Sequence, residues 1–128
     1  MISLEICIDV PDLERGVRFF GEAFGFSKVS EPYPGVAVLE VGETAITLLE
    51  KGEQSRPSPH TTDVRRYGRH WTPVHLDFHV DDLQAAIDRA VKAGATVEQV
   101  FDEPGHSAIA VCADPFGHGF CLLANAPT

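Results

Sequence analysis

Three titratable side chains alternate with apolar residues in the middle of the chain. His75, Asp77 and His79 occupy every second position of this segment. A period of two places all three on one face of a β-strand. Imidazole and carboxylate groups in this arrangement can form a small metal-binding cluster or transfer a proton, with Asp77 and His79 as candidate bases. The alternative is a structural role, in which Asp77 and His79 hydrogen-bond across the strand face.

A segment near the N-terminus repeats this pattern. Glu5, Cys7 and Asp9 alternate with apolar residues, and Glu5 takes the place that His75 takes in the other segment. The similarity continues into the residues that follow each segment. Such self-similarity predicts two modules that are built alike.

Each segment runs into a predicted helix. Asp12 and Asp82 stand at N-cap positions, because a carboxylate accepts hydrogen bonds from the free amides of a first helical turn. Apolar residues then recur at helical spacing. Gly25 and Gly94 suit the positions just after the helices, since glycine readily adopts the left-handed conformation. The sequence therefore predicts one helix between Asp12 and Gly25 and another between Asp82 and Gly94.

Short β-prone runs follow each predicted helix. They are residues 26–31, 35–41 and 44–50 in the first half, and residues 95–101, 106–112 and 118–124 in the second. The order is βαβββ, twice, which predicts an α+β fold. Two such sheets side by side would curl into a cupped eight-stranded mixed sheet with the helices outside. The polar strand faces would line the cup, where a small-molecule site is expected.

Composition excludes several classes of function. The 128 residues predict a single domain over residues 1–128, with a first module at 1–50 and a second at 73–128. A net charge of −9 argues against binding to nucleic acid or to an anionic membrane surface. The three cysteines have no CxxC spacing, so neither a disulfide framework nor a zinc ribbon is expected, and a reducing, cytoplasmic location is predicted.

A connecting segment at residues 51–72 separates the modules and is unlike either. It carries five of the ten Lys and Arg residues. One interpretation is a solvated, mobile linker. The other is a lid that brings positive charge over an anionic ligand, with Arg69 as a charged contact and Tyr67 and Trp71 as stacking residues.

Taken together, these features resemble the vicinal-oxygen-chelate superfamily. The resemblance rests on the two βαβββ modules, on Asp-Leu at the start of each helix and on Asp-Pro-Phe-Gly at residues 114–117. It covers nearly the whole chain except residues 51–72, and its most specific parts are residues 74–83 and 114–123. The superfamily includes glyoxalase I, bleomycin-resistance proteins, fosfomycin-resistance transferases and extradiol dioxygenases. The chain is most similar to small bacterial glyoxalase-like proteins.

The resemblance implies metal positions at Glu5, Thr47, His75 and Cys121. Glu5 and His75 are ordinary metal ligands, but Thr47 is a poor one. Cys121, where the enzymes of the superfamily carry Glu, favours softer ions such as zinc. Two expectations stay open: one divalent ion (Zn, Mn, Ni or Fe) held by Glu5, His75 and Cys121, or no cofactor at all.

The favoured prediction is a small-molecule binding protein of the glyoxalase/bleomycin-resistance type with a degenerate metal site. Its candidate ligand contacts are Thr47, Asp9, Cys7, Arg69, Trp71 and Tyr67. The alternative is a metal-dependent lyase, isomerase or dioxygenase that acts on a vicinal-oxygen substrate through Glu5 and His75. Its base would be Glu5, His79 or Asp77. The resemblance also implies a homodimer.

Overall fold

The computed structural model describes residues 1–127, which form two compact units that meet in sequence between Arg66 and Tyr67. The first unit contains β1 (Cys7–Val10), α1 (Leu13–Phe24), β2 (Ser27–Tyr33), β3 (Val36–Val41) and β4 (Thr44–Glu50). The second contains β5 (Leu76–Val80), α2 (Leu83–Ala93), β6 (Thr96–Phe101), β7 (Ser107–Ala113) and β8 (Gly119–Pro127). This order confirms the predicted α+β fold of tandem βαβββ modules.

Each unit is built around one four-stranded mixed sheet. The strand order is β1-β4-β3-β2 in the first unit and β5-β8-β7-β6 in the second. The first strand of each module is parallel to the last, and all other neighbours are antiparallel. The helix carries the chain across the sheet to its far edge, and the next three strands return it to the first. The eight strands thus form two sheets of four, and the cup predicted from both stays a prediction.

The helix ends are set by the residues that the sequence indicates. Asp12 accepts a hydrogen bond from the Arg15 amide at 3.0 Å, and Asp82 accepts one from the Ala85 amide at 3.0 Å. Gly25 follows α1 with φ +83°, in the left-handed region that glycine tolerates. Among the described residues, no helix is long and apolar enough to cross a membrane.

Apolar side chains from one face of each sheet pack against the helix of the same unit. In the first unit, Val10, Leu39 and Leu48 are fully buried. In the second, Leu122 and Phe116 are buried. Because side chains alternate along a strand, this packing turns the polar positions of β1 and β5 to the opposite face of each sheet.

β1 and β5 begin later than the alternating patterns that predicted them. β1 starts at Cys7 and β5 at Leu76, so Glu5 and His75 lie just before their strands. Both residues are exposed. The structure therefore places these two candidate ligands at the open ends of their strands rather than within the ladders.

The first part of the connecting segment folds back on itself and onto β1. The Gln54 amide donates to the Arg65 carbonyl at 2.8 Å, and the Arg65 amide donates to the Ser55 carbonyl at 2.9 Å. The Arg65 guanidinium pairs with the Asp9 carboxylate at 2.7 Å, where the two side chains are 17% and 31% exposed. This partly buried ion pair ties the segment to the polar face of β1.

Candidate functional site

Three side chains of the second unit converge at one end of the β5–β8 strand pair. His75 Nε2 lies 3.1 Å from Asp77 Oδ1, and the Cys121 thiol hydrogen-bonds the Asp77 carboxylate. One ligand atom from each of the three residues lies within 4.8 Å of the other two. His75, Asp77 and Cys121 are called the β5–β8 cluster below.

The pairing of β5 with β8 creates this convergence. The two strands are parallel, with Asp77 directly opposite Cys121 and His79 opposite Leu123. Partners in register share a sheet face, so the thiol and the carboxylate point to the same side. His75 precedes Asp77 by two positions and joins them from the end of the strand. Its side chain is 53% exposed and that of Asp77 is 44% exposed, so the cluster is open to a ligand.

The electrostatics of the cluster keep the thiol protonated. Burial raises the pKa of Cys121, and the negative charge of Asp77 and its hydrogen bond raise it further. Cys121 therefore donates its proton to Asp77 rather than acting as a nucleophile at neutral pH. The Asp77 carboxylate, held between a thiol and an imidazole, is the acceptor at the centre of the cluster.

The chemistry of the donor set fits a borderline divalent ion. Zinc takes imidazole, carboxylate and thiolate ligands in tetrahedral sites, in which neighbouring ligand atoms lie about 3.3 to 3.8 Å apart. His75, Asp77 and Cys121 supply one donor of each kind and leave a fourth position for a ligand atom. The thiol must lose its proton before it binds a metal.

The metal set predicted from the sequence, Glu5 with His75 and Cys121, differs from this cluster by one residue. The structure brings His75 and Cys121 together, and it adds Asp77, which the sequence indicated only as a candidate base and as a member of a His75–Asp77–His79 cluster. The missing signal was the register of a parallel strand pair, which the local sequence does not encode. His79 lies exposed on the same strand face as Asp77.

A related arrangement exists at the equivalent place in the first unit. Cys7 is directly opposite Thr47, as Asp77 is opposite Cys121. Glu5 hydrogen-bonds the Cys7 thiol, whose pKa is raised by burial first and then by the Glu5 charge. Thr47 is only 3% exposed, whereas Cys7 is exposed. This place offers a carboxylate, a thiol and a buried hydroxyl, a weaker set of metal ligands than the β5–β8 cluster.

The remaining predicted contacts are distributed over both units. Asp9 is engaged by Arg65 in the first unit. Arg69 forms two bonds to the Glu98 carboxylate, at 2.7 Å from Nε and 3.1 Å from a terminal nitrogen. The hydrogen bond to Glu98 is also the main cause that raises the pKa of Arg69. Its charge is thus neutralised within the second unit, which weakens the prediction that it faces an anionic ligand.

The two aromatic candidates differ in exposure. Trp71 is 80% exposed, so it is available to a ligand. Tyr67 is half-buried, and its ring packs edge to face with that of His118, with centroids 6.2 Å apart. Tyr67 is therefore packed against the second unit, while the Trp71 side chain projects into solvent.

A small cavity lies elsewhere, between α1 and β2. Its volume is about 200 Å³, and its lining residues are Leu13, Glu14, Val17, Arg18, Lys28 and Glu31. None of the residues predicted from the sequence as site residues lines it. The site candidates thus lie on strands, just before strands or in the connecting segment, whereas this cavity lies beside a helix.

Comparison with known proteins places this fold. Residues 5–123 match the family model described as a glyoxalase-like domain. No curated protein matches the sequence. The fosfomycin resistance protein FosX from Mesorhizobium loti is similar with a TM-score of 0.70 at 18% identity, over 98% of this chain and 95% of that one.

Two further solved structures have the same fold. A glyoxalase/bleomycin resistance protein/dioxygenase family enzyme from Burkholderia phytofirmans PsJN has a TM-score of 0.70 at 21% identity, over 95% of this chain and 97% of that one. A lactoylglutathione lyase from Agrobacterium tumefaciens has a TM-score of 0.66 at 20% identity, over 97% and 93%. The family match spans nearly the whole sequence, and the two βαβββ modules agree with it. The chain therefore belongs to the glyoxalase-like domain family.

Proposed function

We propose that this protein binds a small organic molecule at the β5–β8 cluster. The observation that carries the proposal is the convergence of His75, Asp77 and Cys121 on an open strand face. Together they offer an imidazole, a carboxylate and a thiol, which can recognise a ligand that carries both hydroxyl and acidic groups. The family membership supports a small-molecule ligand over a macromolecular one, and so does the net charge of −9 with respect to nucleic acid.

Binding without turnover is the form that the side chains favour. A general base must be able to reach a substrate proton, and Asp77 already accepts from the Cys121 thiol and contacts His75. Cys121 has a raised pKa, so little thiolate is present at neutral pH. The resemblance to the superfamily implies a metal ligand at Thr47. The Thr47 side chain has no carboxylate, and the residue is only 3% exposed.

The metal-donor groups of the same cluster favour a second function, metal-dependent catalysis. With a divalent ion bound, the protein would act as a metal-dependent lyase, isomerase or dioxygenase. The ion would supply Lewis acidity to a substrate oxygen at its open fourth position. His75, Asp77 and Cys121 would hold it, and His79, exposed on the same strand face, would be the residue that moves a proton.

Binding can be tested with a panel of flat anionic acids, such as salicylate and gallate, by saturation-transfer NMR on the whole protein. A ligand of the β5–β8 cluster should lose about fivefold to thirtyfold in affinity in His75→Ala and Asp77→Asn, since each removes a polar contact of about 1 to 2 kcal/mol. His106→Ala, at an exposed position before β7, is the matched control and should bind normally. Equal affinities in all three variants would place the ligand elsewhere.

Metal content separates the two functions. Plasma mass spectrometry should be run on protein purified without chelator, before and after incubation with zinc, manganese, nickel and iron(II). Near-stoichiometric metal that disappears in His75→Ala would favour the metal-dependent enzyme. Protein that retains no metal under any of these conditions would favour binding alone.

The proposed assembly is a homodimer. Leu4 and Val74 lie just before β1 and β5, and they are 87% and 78% exposed. Large apolar side chains at the start of outer strands are suited to burial against a second copy. Sedimentation equilibrium should give twice the chain mass, and Leu4→Asp with Val74→Asp should shift it toward the monomer. A monomeric wild-type protein would contradict this assembly.

A further inference from the structure

Two histidines outside the β5–β8 cluster are hydrogen-bonded to each other. His118 Nδ1 lies 2.9 Å from His70 Nε2, and the two rings meet edge to face with centroids 4.8 Å apart. His118 belongs to the turn between β7 and β8, and His70 belongs to the end of the connecting segment. The pair thus joins two parts of the second unit that are distant in sequence.

The segment that carries His70 packs closely on this turn. The His70 amide donates to the Gly117 carbonyl at 3.1 Å. A Cβ atom on Gly117 would overlap the Gly68 carbonyl group, so only glycine permits this approach. Residues 67–71 are called the docked segment below. Its attachments include one backbone hydrogen bond, the histidine pair, the Tyr67–His118 ring contact and the Arg69–Glu98 ion pair.

The geometry assigns the protons of the neutral pair. His70 Nδ1 lies 2.8 Å from the Gly68 carbonyl oxygen, which can only accept, so this nitrogen carries a proton. In neutral His70, Nε2 is therefore the acceptor. His118 Nδ1 must then donate to it. The Gly68 carbonyl oxygen thus determines the tautomers of both neutral histidines.

The charged groups around the pair distinguish one added proton from two. Asp114, 8% exposed in the same turn, interacts electrostatically with both imidazoles. One proton added to the pair leaves a single N–H between the facing nitrogens and gains the attraction of the Asp114 carboxylate. A second proton puts an N–H on both facing nitrogens, which removes the acceptor and sets two cations in contact.

The other ionisable groups beside the pair do not relieve this repulsion. Arg69 adds a positive charge next to His70 and also donates to the His70 carbonyl, and Glu98 of β6 is committed to Arg69. The Tyr67 ring packs edge to face with His118. Asp114 is the acidic group of this set that interacts with both histidines. Burial raises the pKa of its carboxyl group, and the charges of both imidazoles and the His118 and Phe116 amides, which donate to it, oppose that rise.

We propose that His70 and His118 form a proton-operated latch, which holds the docked segment against the β7–β8 turn while at least one facing nitrogen is unprotonated and releases it when both rings are charged. The docked segment leads through Trp71 to His75, so its release loosens the chain that places His75 in the β5–β8 cluster. The latch therefore links acidification to the order of that site. This consequence depends on the proposed function, whereas the latch itself does not.

Hydrogen exchange of the docked segment tests the latch directly. Exchange should be followed by mass spectrometry on peptides spanning residues 67–73, at about pH 7.5 and about pH 5, after correction for the intrinsic pH dependence of amide exchange. Protection should fall at least about fivefold at the lower pH, the effect of losing roughly one hydrogen bond.

Two variants separate the latch from a general effect of acid. His118→Gln cannot become charged; its amide NH2 can donate to neutral His70 and its amide oxygen can accept from charged His70, so protection should be the same at both pH values. His60→Gln, an exposed histidine of the first unit, should behave as the wild type. The β3 and β4 amides should keep their protection throughout.

Three results would overturn the proposal. The first is wild-type protection that does not change with pH. The second is an equal pH effect in His118→Gln. The third is a parallel loss of protection in β3 and β4, which would indicate global unfolding. Since none of these measurements uses a ligand of the β5–β8 cluster, the latch can fail or succeed independently of the proposed function.

Discussion

Asp77 and Cys121 are direct partners in the parallel register of β5 and β8, and the thiol of one donates to the carboxylate of the other. This contact determines the chemistry of the cluster, because it fixes Asp77 as an acceptor and keeps Cys121 protonated. A metal ion that binds Cys121 must therefore displace the thiol proton, whereas an organic ligand can accept the hydrogen bond that the thiol donates.

Removing the carboxylate should make Cys121 more reactive. In Asp77→Asn the negative charge is gone, so the pKa of Cys121 should fall, although burial, the larger cause of its raised value, remains. Alkylation of Cys121 by iodoacetamide at about pH 7.5 should become about threefold faster or more. Peptide mass spectrometry distinguishes this cysteine from the other two.

Glu5→Gln is the matched control for this experiment. Glu5 raises the pKa of Cys7 in the first unit, as Asp77 raises that of Cys121 in the second. The control should accelerate alkylation of Cys7 and leave Cys121 unchanged. An unchanged Cys121 rate in Asp77→Asn would show that the carboxylate does not control the thiol.

Zinc affinity should rise with pH. The metal binds a thiolate, and Cys121 has a raised pKa, so binding below that pKa releases a proton. Each proton released makes the apparent affinity increase about tenfold per pH unit. Isothermal titration in buffers of different ionisation enthalpy, between about pH 6 and 8, gives both the affinity and the proton count.

Cys121→Ser should weaken zinc binding and reduce the increase of zinc affinity with pH, because serine does not replace a thiolate ligand at these pH values. His79 lies on the same strand face but outside the cluster. His79→Ala should therefore keep both the zinc affinity and its dependence on pH. Zinc binding that is independent of pH, or that is unaffected in Cys121→Ser, would exclude Cys121 as a ligand.

The sequence predicts the features that depend on interactions between residues close in sequence, such as helix caps and the alternation of side chains along a strand. The position of Asp12 and Asp82 before a helical pattern predicts two N-caps, and each carboxylate accepts a hydrogen bond from the expected amide. The alternation around His75 also placed the polar face correctly, because the period of two is a property of any strand. These features involve residues that are close in sequence.

The contacts that define the cluster and the latch could not be predicted in the same way. The pairing of Asp77 with Cys121 depends on the register between strands that are distant in sequence, and His70 meets His118 only because the docked segment packs on a turn of the same unit. Such contacts follow from packing of whole elements rather than from spacing along the chain.

Loss of either N-cap should destabilise the protein to a similar extent. Asp12→Ala and Asp82→Ala each remove one side-chain acceptor from a first helical turn. The expected cost is about 1 kcal/mol in the free energy of unfolding, measured by urea denaturation. Asp12→Ser and Asp82→Ser retain an acceptor and should recover most of the free energy of unfolding that the alanine variants lose. A full loss in the serine variants would show that charge, and not capping, matters here.

Gly117→Ala should be more destabilising than Gly105→Ala, although both glycines have φ +84°. Alanine is strained at either position, at a cost of about 1 to 2 kcal/mol. Gly105 has no heavy atom within 4 Å of an added Cβ, whereas at Gly117 that atom would overlap the Gly68 carbonyl. The backbone must then move, which should add about 1 to 3 kcal/mol. Urea denaturation of the two variants measures the difference, and exchange of the His70 amide should increase only in Gly117→Ala, because the displaced segment loses its bond to the Gly117 carbonyl. Equal losses of stability would mean that the docked segment contributes nothing to the folded state.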